Sequence, residues 1–213
     1  RPLGGPAPPP QQTAAPPPPP PPPPCPRLPP RAPTDPGSVC PTSPGPPAGP
    51  AGLALTRQNI PVFARGEGEA SGDVFASAAN AVKGAYVLAE APNGEPDVIL
   101  IATGSEVQLA VQARETLAAD GINARVVSAP SLEWFAEQDE AYRESVLPSS
   151  VKARVSVEAG SALTWAGIVG DAGRSVAIDH FGASAEHKTL FQKFGITAEA
   201  VVSAAPESVA TPK

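Results

Sequence analysis

Val98–Ala102 is a run of five apolar residues rich in β-branched side chains. So short a run fits a strand covered on both faces of a parallel sheet. Thr103-Gly104 breaks it, and Ser105 with Gln108 has the S-x-x-Q spacing of a capping box. Glu106 then falls at the first helical position, where its carboxylate complements the helix dipole. Val107, Ala110, Val111, Leu117 and Ala118 recur at helical spacing and form one apolar stripe. Gly121 stands where a left-handed C-cap is wanted, and Ala124–Ser128 is the next strand. Asp97–Ser128 therefore predicts strand, helix, strand, with parallel strands and a right-handed crossover.

The same alternation continues on both sides. Leu53–Thr56 reads as a short strand that delivers Arg57, Gln58 and Asn59 at its carboxyl end, with Pro61 following. Gly66–Gly72 is a flexible acidic link, and Asp73–Val82 has helical composition. Ala85–Leu88 is a strand, and Pro92–Pro96 a turn. Pro130–Phe135 opens a short helix or loop. Gln138–Val146 is a charged amphipathic helix that stops before Pro148. Ala153–Val157 is a strand running into Glu158-Ala159-Gly160, Leu163–Val169 a short helix, and Ser175–Asp179 another strand. Ser184 is expected to cap a helix bearing Leu190, Phe191 and Phe194, ended by Gly195. Thr197 caps a last helix, Ala198–Ala205, before Pro206. Five strands alternating with helices predict an α/β fold: a three-layer α/β/α sandwich with a five-stranded, mostly parallel sheet.

Composition divides the chain. Residues 1–50 hold 24 of the 31 prolines, four charges (Arg1, Arg27, Arg31, Asp35) and almost no large apolar side chains. Such a segment cannot bury enough surface to offset its ordering entropy, so it is expected to be disordered. Its nine consecutive prolines, Pro16–Pro24, dictate polyproline II about 28 Å long at ~3.1 Å per residue. With Pro23–Arg31 they could serve an SH3- or WW-type groove, a linker, or nothing. The expected division is 1–50 disordered and proline-rich, 51–82 a remnant strand with its linker, and 83–213 one α/β domain. The net charge of −6 and the lack of a basic cluster argue against nucleic acid. No apolar run reaches the ~18 residues of a membrane span, and R-P-L-G-G-P has no secretory h-region. Both cysteines, Cys25 and Cys40, lie in the proline-rich part, so no disulfide framework is expected and a cytoplasmic origin is.

Candidate chemistry is sparse. Thr103-Gly104-Ser105 before a helix invites a phosphate reading, but the spacing fits neither the Walker loop nor G-x-G-x-x-G, and Glu106 would repel an anion. His180 and His187, with Asp179 and Glu186, lack a recognised metal spacing. No G-x-S-x-G elbow supports a hydrolase triad. Glu158 at a strand's carboxyl end could act as an acid or base, or simply cap neighbouring backbone. Arg57 is the best ligand candidate, because a guanidinium at a strand end grips phosphate bidentately.

Seven segments in order resemble transketolase: Leu53–Val62, Gly84–Leu88, Ile101–Ala110, Gln138–Pro148, Val157–Gly160, and Phe181–Ala185 with Phe194–Thr197. The match runs from about Ala51 to Ala205 and is nearest to bacterial enzymes. The resemblance implies the carboxyl-terminal domain of a homodimeric enzyme, preceded by the last strand of its pyrimidine-binding domain. That enzyme moves two-carbon ketol units between sugar phosphates with thiamine diphosphate and a divalent metal, Mg or Ca, in the pentose phosphate pathway. It also implies that Arg57 grips the substrate phosphate. The G-D-G metal motif, the catalytic glutamate and the thiamine-site histidines are absent. No catalytic, cofactor or metal residue is therefore expected here, and the chain alone is expected to be inactive. A reading frame shifted upstream of Gly49 would account for the proline-rich composition. The alternative is a non-catalytic dimerisation or binding module with a proline-rich tail, its exposed apolar surface near Trp134 and Trp165.

Overall fold

The computed structural model describes residues 55, 56, 58–71 and 74–211. The proline-rich segment, Leu53, Ala54 and Arg57 lie outside the described residues, and Leu55 and Thr56, the other half of the expected Leu53–Thr56 strand, are in no strand.

Five strands form one sheet in the order β1-β3-β2-β4-β5. They are β1 (Tyr86–Ala89), β2 (Val98–Ala102), β3 (Ala124–Ser128), β4 (Arg154–Val157) and β5 (Arg174–Val176). β2 lies at the centre, parallel to β3 on one side and β4 on the other, with β5 parallel to β4. β1 pairs antiparallel with β3, Tyr86 opposite Ser128. The expected α/β sandwich with a mostly parallel sheet is what forms.

The apolar run of β2 is buried throughout, and its alternate residues enter different cores. Val98, Leu100 and Ala102 pack with α1 (Val107–Ala119) and α6 (Ala198–Val209), against Ala110, Leu117, Val201 and Ala205. Ile99 and Ile101 face α2 (Leu132–Ala136), α3 (Glu140–Val146) and α4 (Ala166–Val169), against Phe135, Val146, Trp165 and Val169. Each of the valine, leucine, isoleucine and phenylalanine side chains among them contributes about 1.5–3 kcal/mol by leaving water. α1 ends as the glycine predicts. Gly121 has φ +79°, its N–H donates to Ala118 O at 3.2 Å, and Ile122 N–H donates to Leu117 O at 2.9 Å.

Upstream, Phe63, Ala70 and Phe75 pack against the first core. The Gly84 backbone passes so close to α2 that an added Cβ would stand 2.3 Å from Phe135 N and 2.4 Å from Ser131 O. Its φ of +83° independently favours glycine.

Several local expectations are corrected. The helix over Asp73–Val82 is a 3-10 helix, Ala78–Lys83, capped by Ser77, and Phe75 is bridged to Arg65. The Ser105 capping box does not form. Gly104 turns the chain at φ +56° into a 3-10 turn, Gly104–Glu106, and α1 begins at Val107. The Ser105 hydroxyl donates to Glu106 Oε1 at 2.8 Å, and Gln108 Nε2 reaches the Ser105 carbonyl at 2.9 Å. α5 (His187–Phe194) is capped by Glu186 rather than Ser184, through the Thr189 N–H. α6 runs through Pro206 to Val209. Its inner face, Val201, Ala205 and Ser208, is buried, and that packing outweighs the backbone bond the proline forgoes.

Candidate functional site

After β3 the chain crosses back past β2 to build β4, so the loops leaving β2 and β4 diverge. In open α/β sheets ligands settle at the carboxyl ends of strands, at such a switch point. Here the two loops are Thr103–Glu106 and Glu158–Ser161.

Glu106 is only 6% exposed. Burial pushes its carboxyl pKa up; the Ser105 hydroxyl opposes the shift, and the nearby Glu158 adds to it. It is thus a sequestered acid rather than the dipole partner that the sequence suggests. Glu158 follows β4 directly. Its backbone N–H donates to Val176 O at 3.2 Å, and its Oε2 accepts from Trp165 Nε1 at 2.8 Å. Gly160 lets that carboxylate fold over the turn, since a Cβ there would lie 3.2 Å from Glu158 Cδ. The loop after β5 is tied to the loop after β4: Asp179 accepts from Ser161 Oγ at 3.2 Å and Ala162 N at 2.9 Å, and Ile178 N–H donates to Gly160 O at 2.8 Å.

The carboxyl edge thus gathers Glu106, Glu158 and Asp179, all three engaged by neighbouring donors. Two negative side chains at the switch point oppose an anion there, which supports the structural reading of Thr103-Gly104-Ser105. The histidines stay apart in role. His180 Nδ1 lies 2.8 Å from Phe181 O and its ring stands edge-on to Phe194, whereas His187 Nδ1 pairs with Glu186 at 2.9 Å. Among the described residues no three His, Cys, Asp or Glu gather to hold a metal, and no serine is hydrogen-bonded to a histidine.

Two features escaped sequence reading. Trp165 itself is buried beneath Glu158 and Trp134 is half-buried, so neither tryptophan supplies the exposed apolar surface expected near them. The most exposed large apolar side chains among the described residues are Phe181, 100% exposed, Leu163, 82%, and Val62, 74%. Hydropathy alone cannot separate a core aromatic from one at a loop tip. The opposite edge carries arginines near the start of three successive parallel strands: Arg125, Arg154 and Arg174. Only the strand phase, once known, groups them. Arg57 is outside the described residues, so its surroundings are not part of this geometry.

Comparison with known proteins agrees with the fold. Residues 84–197 match the family model described as "Transketolase-like TK C-terminal domain". The chain is 52% identical over 166 residues to a transketolase of Mycobacterium tuberculosis, covering 76% of this chain and 22% of that one. Among solved structures, a Pichia stipitis transketolase mutant in complex with fructose 6-phosphate superposes with a TM-score of 0.60 at 38% identity, covering 72% of this chain and 20% of that one. A Leishmania mexicana transketolase gives 0.58 at 38% identity over 66% of this chain and 19% of its own. The chain thus spans about a fifth of the length of the relatives it matches.

Proposed function

Because this chain belongs to the transketolase family, we propose that it carries the carboxyl-terminal α/β domain of a transketolase and serves ketol transfer between sugar phosphates, in the pentose phosphate pathway, only as part of a larger, dimeric enzyme. The observation that supports this reading is the 52% identity over 166 residues, coupled to a five-stranded fold shared with a transketolase solved in complex with fructose 6-phosphate.

Thiamine diphosphate would supply the carbanion chemistry in that enzyme, and its site lies in parts that this chain does not bring together. What the described residues do is build a rigid sheet and present its carboxyl edge. Arg57 is proposed to grip the substrate phosphate when its own sheet is present, by the bidentate geometry of a guanidinium. Domain boundaries near residues 50 and 82, and a cytoplasmic site of action, belong to the same proposal. No helix among the described residues is long and apolar enough to cross a membrane.

The test is an assay of ketol transfer from fructose 6-phosphate with thiamine diphosphate and magnesium. The purified chain is measured alone and mixed with the part of the Mycobacterium tuberculosis transketolase that precedes the matching segment. The chain alone is expected to be inactive, and the mixture to exceed the added part by itself. Turnover by the chain alone, or no gain in the mixture, overturns the reading.

A further inference from the structure

The loop from β1 to β2 is pinned at both ends and open in the middle. Ala91 is buried at one end. At the other, Asp97 N–H donates to Asn123 O at 2.8 Å, and the Asp97 carboxylate accepts from Asn123 N at 2.8 Å and Nδ2 at 3.2 Å. Between these points Pro92, Asn93, Gly94 and Glu95 are all exposed. Gly94 turns the chain at φ +83°, and a Cβ added to it would meet nothing within 4 Å. Its N–H closes the turn on Ala91 O at 2.9 Å. A single backbone bond at the surface opens at little cost.

The sequence of this turn carries the chemistry. Asparagine stands at positions 59, 80, 93 and 123, and only Asn93 precedes glycine. Glycine has the freest backbone and no Cβ, so its nitrogen can swing onto the preceding side-chain amide. Asn80 and Asn123 differ on both counts. Each precedes alanine. Asn80 Nδ2 donates to Gly68 O at 3.4 Å and Glu69 Oε2 at 3.5 Å, and Asn123 Nδ2 is held by Asp97. Among the described residues no hydrogen bond ties the Asn93 side chain.

We propose that Asn93–Gly94 is a self-modification site, where the chain converts its own asparagine to aspartate and isoaspartate with water as the only co-reactant. The Gly94 amide nitrogen gives its proton to solvent and bonds to Asn93 Cγ. The Cγ–Nδ2 bond breaks, and the side-chain nitrogen takes up a proton and leaves as ammonia. The cyclic imide that remains joins Gly94 N to both carbonyl carbons of residue 93. Water then opens the ring. Cleavage at Cγ gives aspartate, and cleavage at the main-chain carbonyl gives isoaspartate. Nothing is oxidised or reduced. Either product adds a negative charge to a loop that already carries Glu95 and Asp97. Isoaspartate also lengthens the backbone by a methylene, which the Gly94–Ala91 turn bond does not survive. The pins at Ala91 and Asp97 keep that change within the turn.

The test incubates the full chain at neutral pH and physiological temperature. Mass spectrometry follows the peptide that contains residue 93. Isoaspartate is read by methyl transfer from S-adenosylmethionine, using an isoaspartyl carboxyl methyltransferase as the probe. The expected result is the mass gain of an amide turned to an acid in that peptide, with methyl acceptance growing in step. Incubation in heavy-oxygen water is expected to add the heavy isotope there. Asn93→Gln, whose longer side chain closes the ring far more slowly, is expected to lose both signals while keeping the parent's circular dichroism. A residue-93 peptide of constant mass overturns the proposal, as does a mass gain that appears first at Asn59, Asn80 or Asn123. Methyl acceptance undiminished in Asn93→Gln would assign the isoaspartate to the Asp120–Gly121 step and overturn it equally.

Discussion

The two edges of the sheet are built on opposite principles. At the amino edge, charge is consumed. Arg154 opens β4 and donates to four carbonyls: Val151 at 3.1 Å, Ile168 at 2.8 Å, Leu147 at 3.2 Å and Pro148 at 3.0 Å. Arg125 in β3 donates to Ser145 O, Val146 O and the Glu90 carboxylate. Arg174 opens β5 and donates to Ala172 O, Gly173 O and Thr211 Oγ1. Many of these carbonyls lie at the carboxyl ends of α3 and α4, where unpaired C=O groups concentrate negative potential. At the carboxyl edge, acids are held by a few local donors, and Phe181 and Leu163 stand in solvent. The contrast teaches that one edge is closed by its own side chains, whereas the other leaves two large apolar side chains in solvent.

The strongest way to break that contrast is to open the closed edge. Arg154→Leu keeps the apolar stem but strips the donors from four carbonyls. Partly buried acceptors left unpaired cost about 1–3 kcal/mol each at full burial, so a total loss of about 3 kcal/mol is expected in urea denaturation. An unchanged midpoint would mean that the arginine merely decorates the edge. Ser208→Ala is the milder version. Its hydroxyl, 1% exposed, donates to Ala172 O at 2.7 Å and accepts from Arg154 N–H at 3.1 Å, tying α6 to β4. A loss of about 1–2 kcal/mol is expected by the same measurement.

At the open edge the sign reverses. The raised Glu106 pKa means that the folded state holds its proton more tightly than the unfolded chain does. For this group, stability is fully present below pH 4.5, the ordinary value, and is lost as pH rises through the folded-state pKa. At neutral pH the carboxylate therefore costs stability. Glu106→Gln keeps an acceptor for Ser105 Oγ and is expected to raise stability at pH 7. The gain should shrink to nothing below pH 4.5. A gain that did not vary with pH would assign the effect to packing instead.

How much of this was legible in the sequence follows from what each feature depends on. The β2–α1–β3 unit could be read because a doubly covered strand, an apolar stripe and the left-handed Gly121 each leave a local mark. The antiparallel pairing of β1 leaves none, since Tyr86–Ala89 is equally apolar in either direction. The capping box failed for a reason visible only in three dimensions. Gly104 turns the chain early, so the Ser105 hydroxyl meets Glu106 rather than a backbone N–H. Glu106 is buried, and Glu158, about fifty residues away, raises its pKa further; neither effect leaves a local mark in the sequence. Arg57, the sequence's best ligand residue, lies beyond the described residues, so the candidate site rests on side chains whose meaning appears only once the strands are ordered.

The smallest expected effect sharpens the comparison most. Phe181→Ser and Leu163→Ser remove large apolar side chains, yet in this domain those side chains bury almost nothing. Substitutions that touch no packed neighbour usually stay within about 0.5 kcal/mol, so the urea midpoint of each variant should match the parent's. Exposed leucine and phenylalanine elsewhere need no explanation, because folded surfaces are never wholly polar. If either variant instead lost about 2 kcal/mol or more, the side chain would be packed against its own domain. The carboxyl edge would then be as closed as the arginine edge opposite it.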